Sequence, residues 1–204
     1  MKNRIIIVSR SSVLAKIQAK LVGKQILKEI PTIKVEYKWV KTTGDLDQKL
    51  DISSGSSVGV FTGDISQRII KSDIEIAIHS WKDFPIANNN SSKIYATLER
   101  ADMRDMLFLK NSITKLKELD TINIMTSSPR RRYSIEQNLK DLIPIKFKQI
   151  NFQDLRGNID TRLKKLIDKN TDGIVIAKAA IDRILHTELP EAKNIKKFIS
   201  DCLA

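Results

Sequence analysis

The chain has 204 residues, of which 41% are hydrophobic and 29% charged, with a formal net charge of +12 and a single cysteine. That length buries one large core or two small ones, and the longest apolar runs, residues 5–8 and 174–177, are far too short to span a bilayer as a helix. One cysteine, Cys202, excludes an internal disulfide framework. With no signal-peptide pattern at residues 1–4, a cytoplasmic location is expected. The positive balance favours an anionic partner, whether nucleic acid, acidic lipid or a phosphate or polycarboxylate ligand. The plainer reading, lysines scattered over solvated faces, stands beside it.

In chain order the pattern is strand, turn, helix, repeated, which predicts α/β architecture with mostly parallel pairing. Residues 4–9 (RIIIVS) form the first strand, and residues 13–22 carry helical spacing of apolar positions. Between them Arg10, Ser11 and Ser12 would bring a guanidinium, hydroxyls and free backbone N–H groups to a helix N-terminus, where a carboxylate or phosphate binds readily. An ordinary serine-capped helix explains the same residues. Residues 34–42 alternate as a half-buried strand, residues 52–59 read as a Ser/Gly-rich loop, and 61–71 as a short helix. The stretch 73–85 (DIEIAIHSWKDFP) runs from a β-branched strand directly into His79-Ser80-Trp81-Lys82-Asp83, and Pro85 ends it. A carboxylate and an ammonium thus stand side by side where a strand leaves its sheet, the edge at which open α/β sheets bind ligands. Asp83 is the candidate for chemistry there.

Residues 95–98 alternate as another strand, and the charged run 99–105 is the candidate crossing between two domains, or simply a solvated face. Beyond it, Ser112 is a candidate cap for a helix over 114–119, with a strand following at 122–125. In Thr126-Ser127-Ser128-Pro129-Arg130-Arg131-Arg132, a serine before a proline marks a helix start. Three arginines in that first turn oppose the helix dipole and cost stability unless an anion sits there; pairing with Glu136 and other surface carboxylates is the alternative. A strand at 145–150, a turn at 155–158, a helix at 159–167, a buried strand at 173–177 and a helix at 179–185 complete the reading. Arginines that follow successive strands outline a cleft of guanidinium groups suited to bidentate carboxylate or phosphate binding.

No P-loop, GxGxxG or HExxH pattern occurs, and His79, His186 and Cys202 make no convincing metal set. At 5%, aromatic residues do not supply the stacking platforms of a single-strand nucleic-acid binder.

Six segments, SRSSVLAKIQA (9–19), IAIHSWKDFP (76–85), ERADMRDMLF (99–108), TSSPRRR (126–132), LRGNIDTRL (155–163) and IVIAKAAIDRIL (174–185), resemble porphobilinogen deaminase, also called hydroxymethylbilane synthase, in order and spacing. The resemblance implies two periplasmic-binding-protein-like (type II) domains with mixed sheets flanked by helices and a cleft between them. Residues 1–99 would be the first and 100–196 the second, with the tail 197–204 open to joining the first. It implies a transferase of porphyrin and heme biosynthesis that condenses four porphobilinogen molecules into linear hydroxymethylbilane with release of ammonia. A dipyrromethane cofactor primes the reaction in that family. Carried over residue by residue, the catalytic aspartate falls on Asp83 and its neighbouring lysine on Lys82. Cofactor and substrate carboxylates would meet Arg10, Arg130, Arg131, Arg156, Arg162 and Arg183, with Ser12, Gln18 and Ser128 as further polar contacts. The expected partner is porphobilinogen, with no nucleic acid, no membrane and a monomeric state.

The chain also departs from the family pattern. The third domain, with the cysteine that anchors the cofactor, has no counterpart here, so the resemblance describes an N-terminal two-domain portion, and Cys202 lies in an unmatched tail. Val58 stands where a cofactor-contacting lysine is expected, and Gly63-Asp64 replaces the usual Lys-Glu pair. Two further readings therefore accompany the enzyme: a homologue that binds polycarboxylate pyrroles without turnover, and a basic nucleic-acid binder, which lacks any visible readout module.

Overall fold

The computed structural model describes residues 3–41, 65, 69, 75–81, 93–168 and 170–203. The loop expected at 52–59, most of the helix expected at 61–71, and Lys82 and Asp83 lie outside the described residues. The chain divides into two compact units, residues 1–100 with 187–191 and residues 101–186 with 192–204.

In the first unit, β1 (Arg4–Arg10) is the central strand, paired in parallel with β2 (Lys34–Val40) on one side and β3 (Glu75–Ala77) on the other. A central parallel strand is buried on both faces, so it needs a continuous apolar run rather than alternation. Ile6, Ile7 and Val8 supply it, the last two fully buried. Helix α1 (Val13–Glu29) packs on β1 and runs seven residues beyond the end expected from its apolar spacing. Its Gly23 lies against Tyr37 of β2, where a Cβ would collide with the phenol oxygen. On the sheet, Lys38 of β2 reaches Glu75 of β3 at 2.5 Å, and the Glu75 side chain is only 7% exposed. Residues 95–98, expected as a strand, are exposed and carry no regular structure; no described strand pairs with them, and alternation without a partner edge does not make a strand.

The second unit holds β4 (Asp105–Leu109), α2 (Asn111–Thr114), β5 (Glu118–Met125), α3 (Pro129–Leu142), β6 (Lys146–Gln153), α4 (Ile159–Asp168), β7 (Gly173–Ala177), α5 (Lys178–Leu185) and α6 (Lys193–Leu203). The strand order is β4-β7-β5-β6, with β5 parallel to both neighbours and β4 antiparallel to β7. The sheet is therefore mixed. Both units share one winding, in which the first parallel strand lies between the second and the third. Ile122, Ile124, Leu139, Phe147 and Val175 form a core cluster of the second unit, and α6 packs on α5. The helix expected at 114–119 is replaced by the four-residue α2, and β5 begins at Glu118 rather than at 122. Pairing of Glu118 and Leu119 with Lys146 and Phe147 of β6 overrides the helical propensity of that segment.

Gly173 marks the tightest point of this sheet. A Cβ there would lie 2.8 Å from Leu109 Cδ2, 2.9 Å from the Phe108 carbonyl oxygen and 3.0 Å from Ile124 Cδ1. The carbonyl belongs to the adjoining strand and cannot step aside. Gly173→Ala is expected to destabilise the chain by about 2 kcal/mol, read as a lowered urea midpoint; an unchanged midpoint would mean that β4 shifts without penalty. No helix among the described residues is long and apolar enough to cross a membrane.

Candidate carboxylate-binding site

In the first unit the candidate residues gather at the carboxyl ends of β1 and β3. Arg10 ends β1, and Ser12 is the N-cap of α1 with extended backbone, yet its hydroxyl makes no capping bond. The expected cap is thus a backbone one only: Lys16 N donates to the Ser12 carbonyl at 3.0 Å. Gln18, in the second turn of α1, accepts a hydrogen bond from Ser80 Oγ at 2.9 Å. That bond ties α1 to the segment leaving β3, two residues before Lys82. His79 lies in the same segment. Burial first, and the charge of Arg10 second, pull its pKa down to about 4, so the imidazole is neutral at pH 7. Trp81 is 68% exposed.

In the second unit the three parallel strands end at one edge, and each leads into a segment bearing candidate arginines. After β5, Ser128 caps α3, its Oγ accepting from Arg131 N at 3.5 Å, with Pro129 at the first helical position. The three arginines that oppose the dipole are met by the chain's own carboxylates. Arg130 Nη2 donates to Asp105 Oδ2 at 2.7 Å, Arg131 Nε to Asp105 Oδ1 at 3.0 Å, and Arg132 Nη2 to Asp154 Oδ1 at 2.7 Å. Pairing with surface carboxylates is the alternative reading, and Glu136, the one it names, is not among the partners. Burial pushes the Asp105 carboxyl up, but the hydrogen bonds from Arg130 and Arg131 outweigh it and hold the pKa below the usual value. Arg132 also donates through Nε to the Thr126 carbonyl at 3.1 Å and lies over the Phe152 ring. Three contacts thus hold Arg132 in local structure.

After β6, the turn at 154–158 is stitched to the start of α3. Ser127 Oγ donates to the Leu155 carbonyl at 3.2 Å and accepts from Leu155 N at 2.9 Å. Gly157 takes φ +106°, a conformation that strains any side chain. Its carbonyl accepts from Arg162 Nε at 2.7 Å, and the Arg156 carbonyl accepts from Lys165 Nζ at 3.0 Å. The turn carrying Arg156 and the helix carrying Arg162 are thereby fixed to each other. Sequence reading missed Ser127, Asp105 and Asp154; a TSS run ahead of a proline hinted at the first, and nothing local pointed to the other two. Ser127→Ala is expected to lower stability by about 1 kcal/mol, because both backbone groups of the buried Leu155 lose their partner. Thermal unfolding checks this, and an unchanged midpoint would show that water takes the place of the hydroxyl.

After β7, Arg183 lies in the last turn of α5. It is half-buried, and burial alone pulls its pKa below the usual guanidinium value. Among the described residues it makes no ion pair. The neighbouring cations differ: Lys178 is paired with Asp182 at 2.6 Å, and Arg104 with Asp102 at 2.6 Å.

The family model for "Porphobilinogen deaminase, dipyromethane cofactor binding domain" matches residues 5–201. The chain belongs to the porphobilinogen deaminase family. It is 40% identical over 176 residues to a "Probable porphobilinogen deaminase" of Picrophilus torridus, covering 86% of this chain and 58% of that protein. It is 35% identical over 180 residues to the porphobilinogen deaminase of Clostridioides difficile, covering 88% and 57%. The chain therefore spans somewhat over half the length of these relatives. Among solved structures, a probable amino-acid ABC transporter extracellular-binding protein, ytmK of Bacillus subtilis, aligns over 98% of this chain and 91% of its own, at 13% identity and a TM-score of 0.37.

The family model is that of a dipyrromethane-binding domain, and the donor set at hand fits a ligand of that kind. Every pyrrole of such a group carries two carboxylates, and guanidinium groups are the side chains best shaped for them. A half-buried arginine with no carboxylate partner among the described residues is the clearest local sign of that fit.

Proposed function

We propose that this chain is the porphobilinogen-binding and dipyrromethane-binding part of a hydroxymethylbilane synthase, which joins four porphobilinogen molecules head to tail with release of ammonia. The observation that carries the reading is Arg183, a guanidinium taken half out of water with no counter-charge among the described residues. Desolvating a cation is costly unless an anion meets it, and a ligand carboxylate would do so. Arg10, Ser12 and Gln18 would serve the same ligand from the first unit, and Ser128, Arg130, Arg156 and Arg162 from the second, where Arg131 backs Arg130 from its place on Asp105. The cleft between the units and the domain limits given above belong to this reading, as do a monomeric state and a cytoplasmic location.

When bound, dipyrromethane supplies the pyrrole end onto which the first porphobilinogen is joined. The chemistry assigned to this chain's own residues is electrostatic. As the aminomethyl carbon–nitrogen bond of porphobilinogen breaks and ammonia leaves, positive charge spreads over the pyrrole ring. A carboxylate beside the ring nitrogen, assigned to Asp83, stabilises that cation. It also takes up the proton that the receiving pyrrole releases once the new carbon–carbon bond has formed. Lys82 either pairs with Asp83 or meets a substrate carboxylate.

The test is to incubate the chain with porphobilinogen and follow ammonia release together with intact protein mass. Ammonia released with a retained pyrrole adduct supports the synthase, and peptide mapping then locates the attachment and shows whether Cys202 bears it. Binding of porphobilinogen without ammonia release would replace the synthase by a polycarboxylate-pyrrole binder.

A further inference from the structure

Strand β4 runs against the parallel strands, so its first residue, not its last, lies at the edge where the arginine-bearing segments begin. That residue is Asp105, in register with Ala177 at the end of β7. Its two oxygens are shared out. Oδ1 accepts from Arg131 Nε at 3.0 Å and lies 2.8 Å from Arg131 Nη2, while Oδ2 accepts from Arg130 Nη2 at 2.7 Å. Arg131 also donates through Nη1 to the Val175 carbonyl at 3.3 Å. The two arginines are used unequally. The Arg131 side chain is 14% exposed and engaged at all three nitrogens, whereas that of Arg130 is 69% exposed and spends a single N–H on Asp105.

We infer that Asp105 is a positioning residue, which presets the Arg130–Arg131 pair so that Arg131 is fixed and Arg130 is the arm that takes a ligand carboxylate. The inference rests on the reading of the second unit as a carboxylate binder. Two adjacent cations at a helix N-terminus repel each other and the positive end of the dipole. Left alone they would splay, and a ligand would have to order two long side chains as it bound. Asp105 cancels one charge of the two, sets both guanidinium planes with charge-assisted bonds, and leaves donors of Arg130 for a second carboxylate. It does not itself touch the ligand.

The experiment uses the full chain, ¹⁵N-labelled, with Arg Nε–H signals assigned through Arg130→Lys and Arg131→Lys and with porphobilinogen and citrate as probes. In the wild type the Arg131 Nε–H signal is expected to be protected from exchange and to stay in place on titration, while the Arg130 Nε–H signal moves. Displacement of the Arg131 signal by either probe would show that Asp105 is a competitor that the ligand expels, and would overturn the inference. This arm reads the wild-type chain, and the two lysine variants serve only to assign its signals. Asp105→Asn, with its fold checked by circular dichroism, is expected to lose the Arg131 protection and to raise the dissociation constant of either bound probe about tenfold, with Asp105→Glu restoring most of both. An Asp105→Asn chain that binds as tightly as wild type or more so also overturns it. Should citrate bind with these responses and porphobilinogen not bind, the substrate assignment falls and the role of Asp105 stands. Porphobilinogen binding that is indifferent to Asp105 does the reverse, and binding of neither probe removes both.

Discussion

An Asp83→Asn chain is expected to keep its affinity for porphobilinogen and to lose turnover by about a hundred- to ten-thousandfold. The amide matches the carboxylate in shape but neither neutralises a pyrrole cation nor takes up a proton. The loss should therefore fall on kcat and leave KM nearly unchanged, the pattern of an interaction made in the transition state alone. Affinity is assigned to guanidinium groups on other elements, Arg10 at the end of β1 and the arginines that follow β5, β6 and β7. Ammonia release at saturating porphobilinogen measures the first quantity, and equilibrium binding the second. Near-normal turnover would remove Asp83 from the chemistry. A parallel loss of binding would instead make it a ligand contact.

The second large effect is on stability and follows from His79. Its pKa is about 4 in the folded chain against an ordinary value of 6.5, with burial the main cause and Arg10 the lesser. Between these values the unfolded chain binds a proton that the folded chain refuses. Stability is then full above pH 6.5, falls as the solution is acidified, and levels off below about pH 4. The slope is about 1.4 kcal/mol per pH unit and the total about 3 kcal/mol. Urea unfolding at pH 7, 6, 5 and 4 should show this decline, and His79→Gln should flatten it. A decline unchanged in His79→Gln would place the cause elsewhere. The carboxylates held low by arginines act in a separate window. The Asp102 carboxyl, lowered to about 2 chiefly by its hydrogen bonds from Arg104, loses its contribution only as pH falls below about 4.

How much of this was legible in the sequence depended on where the decisive partner lay. The runs at residues 4–9 and 173–177 announced central strands because burial on both faces demands apolar residues without interruption. The start of α3 was legible for a similar reason, since a serine cap and a proline at the first helical position act within one turn. Strand β5 was read four residues too short, because Glu118 and Leu119 pair with Lys146 and Phe147, a partner strand that local propensity does not see. The site divides the same way. Arginines after strands could be named from their type and place, whereas Asp105 stood in a charged run and its partners lie 25 and 26 residues further on. Spacing carries no record of such a pairing. What the sequence posed as a conflict, three cations at the positive end of a dipole, the fold answers with Asp105 and Asp154.

The five residues 187–191 belong to the first unit although the chain on either side of them belongs to the second. Lys16 of α1 holds this short return through Glu191 at 2.8 Å. The chain is therefore not severable into halves at any single peptide bond. Cleavage after residue 100 would leave α1 without Glu191, and cleavage after 186 would strip α6 from α5, so each half carries a piece that only the intact chain can deliver.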